Sequence, residues 1–216
     1  LATLPSFDQG TYQLQQFIFS ENQLTSLPSL ANLTELISLD VKRNLLTTWP
    51  NLNNNKKLRY IVSHTNQLTS LPVLDSLKDL ELLNVAVNQL VSLPSFDSLS
   101  QLQEVVAWSN ELTTLPSLFY CESLVELDVS KNQLSSFPEL PENNNLAIIR
   151  MAENQLTTLP DFFLFPNISK VILNGNKLSF EALTPLASIT NYETIFPLQY
   201  QQVFNVGYTS EILEKE

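Results

Sequence analysis

Two carboxylates are the strongest candidates for chemistry in this sequence. Glu104 and Glu126 are 22 residues apart, and on adjacent strands their carboxyl groups would approach the roughly 5 Å separation of a retaining glycosidase. Such a pair acts only in a pocket that holds the substrate and limits access of water. Nothing around either residue predicts a deep pocket, so we interpret the pair as surface charge and predict that the chain is not an enzyme.

The other reactive residue types occur singly. His64 is the only histidine and Cys121 is the only cysteine. A zinc site needs clustered ligands, and a nucleophile needs a nearby base and a group that orients that base. With three glycines in the chain, we find no glycine-rich phosphate loop. We therefore expect no catalytic residue, metal or cofactor, and we interpret Cys121 as a buried thiol.

Net charge limits the class of partner. The 216 residues include 22 acidic and 11 basic residues, which gives a net charge of −11 at pH 7. Nucleic acids and anionic membrane surfaces attract basic proteins, so we expect neither as a partner. No apolar run approaches the roughly 20 residues that a membrane-spanning helix needs, and we expect no insertion into a membrane.

A repeat of 22 residues must position all of these side chains. Asparagine recurs at this interval in eight units, and leucine follows two residues later in every unit. Apolar residues also recur eight and five residues before each asparagine. The asparagines are Asn22, Asn44, Asn66, Asn88, Asn110, Asn132, Asn154 and Asn176. Such regularity excludes a chance pattern.

Each unit reads L-x-x-L-x-L-x-x-N-x-L, and its second half is similar to L-T-x-L-P-x-L with the prolines in phase. Over about residues 14–178 this pattern resembles the leucine-rich repeat, in the 22-residue form found in bacteria. The segment 176–186 looks like the close of such arrays in secreted bacterial surface proteins. The resemblance implies an exported interaction module and names no ligand.

The spacing also predicts how the units fold. Apolar residues alternate over a few positions, which indicates a short strand, and stacking places each strand beside the next around a continuous core. The in-phase prolines lack an N–H group, which favours extended or 3-10 returns over long helices. We predict an α/β-type repeat solenoid, a right-handed leucine-rich repeat superhelix with a curved parallel β-sheet on its concave side and 3-10 or extended returns on its convex side.

We predict a single domain over residues 1–216. Residues 1–13 form a partial repeat or N-terminal cap, residues 14–178 form the eight repeats, and residues 179–216 form a C-terminal cap over the last apolar face. The asparagines stand where each strand turns into its return. Because an amide side chain both donates and accepts hydrogen bonds, we interpret them as a structural ladder and not as a binding site.

Outward positions of the predicted strands give the candidate binding surface. Neighbouring strands lie about 4.8 Å apart, so eight strands give a face of roughly 34 Å. In the third to fifth units this face carries apolar and aromatic residues, which is typical of an interaction site. The candidate ligand-binding residues are Tyr60, Val62, His64, Leu82, Asn84, Ala86, Glu104, Val106, Trp108, Glu126, Asp128, Arg150 and Lys170.

Several interpretations of these residues stay open. The apolar members form either a binding patch or a set of isolated surface residues that are normal for a sheet, or they pack against another part of a longer parent protein. The charged members either steer a partner or pair with each other across neighbouring strands, as Asp128 could with Arg150.

The sequence favours a protein–protein interaction module that binds an unknown protein on its concave face, outside a bacterial cell or on its surface. An intracellular location stays open. One alternative is a surface glycan-binding module, in which exposed aromatic rings stack on sugars. Another is a structural spacer within a larger multidomain protein, whose concave face stays unoccupied.

Overall fold

The chain folds as a single stack of short parallel strands. The computed structural model describes residues 1–10, 12–140, 145–188 and 193–195. Within these ranges nine strands form one sheet, and each strand pairs in parallel with its sequence neighbours. The strands are β1 (Gln16–Ile18), β2 (Ser38–Asp40), β3 (Tyr60–Val62), β4 (Leu82–Asn84), β5 (Glu104–Val106), β6 (Glu126–Asp128), β7 (Ile148–Arg150), β8 (Lys170–Ile172) and β9 (Glu193–Ile195). The described residues also include two 3-10 helices, Phe162–Leu164 and Glu181–Ser188. The predicted solenoid is confirmed.

Strand register follows the repeat directly. From β1 to β8, each residue pairs with the residue 22 positions further along the chain, as Ile61 does with Leu83. The middle residue of each of these strands is buried, while most of the flanking residues stay at least partly accessible. We call one 22-residue unit a coil, the inward positions inner columns and the outward positions outer columns.

The inner columns form one continuous hydrophobic core. Leucines that follow the asparagines, such as Leu68, Leu90 and Leu112, are completely buried. Burying a leucine side chain stabilises the folded state by about 2 kcal/mol, and here each leucine packs on equivalent residues of the coils before and after it. Cys121 is also fully buried, and burial raises the pKa of its thiol to about 12. It is therefore a structural thiol and not a nucleophile.

The asparagines form the predicted ladder. Asn110 Oδ1 accepts the backbone N–H of Leu90 at 3.0 Å, and Asn110 Nδ2 donates to the carbonyl groups of Val85 and Ala107 at 3.1 Å each. The same contacts to the preceding coil and to the residue three positions earlier recur along the column, including at Asn88. Each asparagine thus satisfies backbone groups that the turn leaves unpaired.

The residue before each ladder asparagine adopts a left-handed conformation. Seven of these residues are not glycine, and the eighth is Gly175 with φ of 72°. Val87 is the bulkiest β-branched example, with φ of 52°. A positive φ is costly for a β-branched residue, so the turn from strand to return imposes a geometry that disfavours this side chain.

The two ends of the stack differ from the repeats. At the first coil, Leu4, Phe7 and Tyr12 pack against the core, and Leu1 O accepts the backbone N–H of Gln23 at 2.9 Å. In the region predicted as a cap, the helix Glu181–Ser188 brings Leu186 into the core. Strand β9 then continues the sheet at a spacing of 23 instead of 22 residues, which the sequence pattern did not predict. The rest of the predicted cap, 189–192 and 196–216, lies outside the described residues.

Candidate partner-binding surface

Register brings most of the predicted surface residues into two adjoining outer columns. The first column runs Tyr60, Leu82, Glu104 and Glu126, and the second runs Val62, Asn84, Val106 and Asp128. His64, Ala86 and Trp108 follow two residues after the second column. Arg150 continues the second column on β7, and Lys170 stands in the first column on β8. The residues predicted from separate units therefore share one face.

The apolar members of this surface differ in depth. We call Tyr60, Val62, His64, Leu82, Ala86, Val106 and Trp108 the apolar patch. Trp108 is 38% exposed, and most of the other members are half-buried. Ala86 and Val106 are only 1% and 9% exposed, which corrects the expectation that every outward residue is accessible. These two residues lie deepest in the patch.

Tyr60 is held by two charged residues. Its hydroxyl group donates a hydrogen bond to Glu81 Oε2 at 2.9 Å, and Glu81 forms an ion pair with Arg59. The guanidinium carbon of Arg59 also lies 5.5 Å from the centre of the Tyr60 ring. The hydrogen bond to Glu81 raises the pKa of the Tyr60 hydroxyl. The ring is thus oriented before any partner binds.

His64 belongs to the apolar part of the surface. Its Nδ1 lies 3.1 Å from the hydroxyl oxygen of Thr65. Burial, together with the nearby charges of Lys42 and Arg43, lowers the pKa of the imidazole below its usual value. This lowered pKa disfavours a positive charge on His64 within the patch.

The charged members divide into paired and unpaired groups. Arg150 pairs across neighbouring strands with Glu126, and not with Asp128, which the sequence offered as one possible partner. Asp128 instead accepts the backbone N–H of Ser130 at 3.1 Å. Among the described residues, neither Asp128 nor Glu104 forms an ion pair. Burial, and then repulsion from Glu126, raise the pKa of Glu104.

Sequence reasoning missed residues at the edge of this surface. Arg59 and Glu81 occupy the position just before the strand, 22 residues apart, and this spacing between opposite charges was a usable signal for their ion pair. Val87 lies beside the patch, and its N–H donates to the carbonyl of Trp108 at 2.8 Å. Its position before a ladder asparagine was visible, but its left-handed conformation was not.

A second exposed aromatic pair lies on the return side of the fifth coil. Phe119 and Tyr120 are 45% and 53% exposed, and their rings meet edge to face at 5.2 Å.

In the described ranges, no three His, Cys, Asp or Glu side chains are close enough together to hold a metal ion. Nor does any helix among the described residues combine the length and apolar character needed to cross a membrane.

Comparison with known proteins identifies the repeat. No family model and no curated protein matches the chain. Among solved structures, YopM from Yersinia enterocolitica superposes with a TM-score of 0.70 and 32% identity over 82% of this chain. The leucine-rich repeat domain of a Shigella effector superposes with a TM-score of 0.70 and 27% identity, over 86% of this chain and 82% of its own.

This chain is a leucine-rich repeat protein. Its coils are of the 22-residue type found in bacterial proteins, as the sequence resemblance predicted. This leucine-rich repeat array spans 36% of the length of YopM. Internalin C2 from Listeria monocytogenes shares the fold, with a TM-score of 0.65 and 21% identity over 85% of this chain and 80% of its own.

Proposed function

We propose that this leucine-rich repeat array is a protein–protein interaction module whose partner binds on the concave face. The observation that carries the proposal is the apolar patch on the outer columns of β3 to β5, where a sheet facing water would carry polar residues. Solved structures of similar fold include a bacterial effector and an internalin, which supports a protein partner. The same similarity supports a location outside a bacterial cell or on its surface.

Residues of the surface have different roles in this proposal. Trp108 and Tyr60 are the anchors, since aromatic side chains contribute most to interface energies. The surface around those anchors is formed by Val62, His64, Leu82, Asn84, Ala86 and Val106. Glu104, Glu126, Asp128, Arg150 and Lys170 orient the partner through charge.

A protein partner fits the geometry better than a glycan. Stacking on a sugar needs an aromatic ring with a free face, and Arg59 lies over one face of the Tyr60 ring, 5.5 Å from its centre. The Tyr60 hydroxyl group is already bonded to Glu81, which leaves it less free to bond a sugar. A structural spacer, for its part, would have no use for an apolar patch on an open face.

We also infer that the module binds without catalysis. Glu104 and Glu126 are adjacent on an open sheet, and Glu126 is already paired with Arg150. A retaining glycosidase needs one free carboxylate as nucleophile and one protonated acid inside a closed site. Glu104 is unpaired, but Glu126 is held by Arg150 and the pair lies on an open sheet, so it does not provide this arrangement.

A capture experiment with matched variants tests the proposal. Immobilised protein is exposed to culture medium and host-cell extract, and the bound proteins are identified by mass spectrometry. Wild type is compared with the double variant Leu82→Ala/Trp108→Ala on the concave face. The control is Phe119→Ala/Tyr120→Ala, which removes the exposed aromatic pair on the return side. A glycan array is probed with the same three proteins.

We expect bound proteins that are lost with the concave variant and retained with the control. Capture that is the same for all three proteins would contradict binding at the apolar patch, and no specific capture at all would support the spacer. Loss with the control alone would place the binding site on the return side. Signals on the glycan array that disappear with Trp108→Ala would favour the glycan-binding alternative.

A further inference from the structure

The outer surface around Val106 combines three features that recognise a cation. Val106 is a nearly buried apolar floor, 9% exposed. Asp128 stands directly beside it on the neighbouring strand, and Glu104 precedes it by two residues on its own strand. Trp108 follows it by two residues and is 38% exposed. By register and spacing, two carboxylate positions and one indole position therefore neighbour the position of one apolar side chain.

Strand geometry fixes the size of this arrangement. Two residues along a strand cover about 6.6 Å and neighbouring strands lie about 4.8 Å apart, so the Cα atoms of Glu104 and Asp128 are roughly 8 Å apart. A side chain that enters above Val106 can reach both carboxylates and the edge or face of the indole.

The charges at this place are not balanced within the described residues. Glu104, Glu126 and Asp128 supply three negative charges, and Arg150 supplies one positive charge through its ion pair with Glu126. Glu104 and Asp128 form no ion pair among the described residues, although the charge of Arg150 also acts on Glu104. Lys131, the cation that follows β6, is paired with Glu153 at 3.7 Å. The net charge of −11 adds a long-range attraction for positive groups.

We propose that the site formed by Glu104, Asp128 and Trp108 around Val106, here called the Val106 site, binds a Lys or Arg side chain of the partner protein. The apolar stem of that side chain lies on Val106, and its charged end lies between the two carboxylates with the indole beside it. Apolar residues next to it on the partner then contact Leu82, Val62 and Tyr60. The inference rests on the proposed function, because it names the partner chemistry at the same face.

The state of Glu104 is consistent with such a ligand. Burial and the charge of Glu126 disfavour its ionised form, and a cation placed beside it would favour that form instead. On balance these effects disfavour the charge of Glu104, although the charge of Arg150 acts in the opposite direction. A basic partner residue offsets this disadvantage on binding.

A random 12-residue peptide library displayed on phage provides the probe. Selection is carried out on the wild-type protein, and the affinities of the selected peptides are then measured for two charge variants. Glu104→Gln/Asp128→Asn removes the two unpaired charges of the Val106 site. Asp75→Asn/Asp97→Asn removes the same formal charge from exposed positions in the returns, and so controls for general electrostatic attraction.

We expect the selected peptides to share a Lys or Arg beside apolar residues. Their affinity should fall about tenfold or more with Glu104→Gln/Asp128→Asn and change less than about twofold with the control. Replacing the basic peptide residue with Gln should cause a similar loss. The two losses should not add when combined, because they remove the same contact.

The outcomes separate this inference from the proposed function. Peptides that lose affinity with Leu82→Ala but bind Glu104→Gln/Asp128→Asn as they bind wild type would overturn the basic-residue site and leave concave binding in place. Peptides that are insensitive to every concave substitution, or a selection that yields none, would contradict the proposed function and this inference with it.

Discussion

Inner and outer columns of this solenoid follow opposite rules. The ladder position is asparagine in all eight coils, and the position two residues later is leucine in all eight. The first outer column instead changes at almost every step, from glutamine to serine, tyrosine, leucine, glutamate, isoleucine and lysine. Stacking repeats the same core contacts in every coil, so it restricts the residue types of the inner columns. The residue types of the outer columns can vary. Specificity for a partner is therefore expected in the outer columns.

The largest effect should come from breaking the inner ladder. Asn110→Ala removes one acceptor and two donor contacts to Leu90, Val85 and Ala107, all of them buried. Leaving such groups unsatisfied costs about 1–3 kcal/mol each, so we expect unfolding free energy to fall by about 3 kcal/mol or more. Urea denaturation measures it.

Asn84→Ala provides the matched outer-column control. The side chain of Asn84 makes one hydrogen bond, in which its Oδ1 accepts the backbone N–H of Ala86 at 3.3 Å. We expect its replacement to change the unfolding free energy by less than about 1 kcal/mol. Equal losses for the two asparagines would remove the distinction between inner and outer columns.

A smaller effect of opposite sign is expected at the left-handed turn. Val87→Asn places a residue that tolerates a positive φ where Val87 has φ of 52°, and we expect a gain of about 1 kcal/mol in unfolding free energy. Val91→Asn is the control, because Val91 is exposed and has no positive φ. Thermal unfolding of both variants measures the difference, and no gain for Val87→Asn over Val91→Asn would argue against strain at this turn.

The smallest stability effect is expected at Glu104. Its pKa is raised in the folded state, so folding favours the protonated form, and this contribution is lost as the pH rises through the folded pKa. Glu104→Gln should therefore be more stable than wild type at pH 7, by less than about 1 kcal/mol after solvent screening. The difference should vanish near pH 3. A series of unfolding curves from pH 3 to pH 7 would show it, and a constant difference across that range would contradict the assignment.

Glu126→Gln sharpens this comparison. It removes the partner of Arg150, so it should not stabilise the protein at pH 7. A gain equal to that of Glu104→Gln would mean that the two carboxylates are not distinguished by their pairing.

Much of the fold was predictable because the interval between repeats does not change. A constant interval of 22 residues places equivalent side chains on neighbouring strands, and alternation within each strand decides which side chains point outward. Strand β9 was not predictable, because its spacing is 23 residues and no ladder asparagine follows it.

The details of the surface were less accessible to sequence reasoning. Burial of Ala86 and Val106 depends on the sizes of neighbouring side chains, which the pattern does not encode. Arg150 had two carboxylates within reach, and only the side-chain geometry selects Glu126 over Asp128. The left-handed column escaped detection because its residue types vary from glutamate to valine.

The most direct measurement of the central claim is the affinity of a captured partner for two single variants that truncate exposed aromatic residues. Trp108→Ala removes the ring on the concave face, and Phe119→Ala removes a similarly exposed ring on the return side. With both variants shown to be folded by circular dichroism, we predict about a tenfold or greater loss for Trp108→Ala and less than a twofold change for Phe119→Ala. Unchanged affinity for Trp108→Ala, or a larger loss for Phe119→Ala, would contradict binding at the apolar patch.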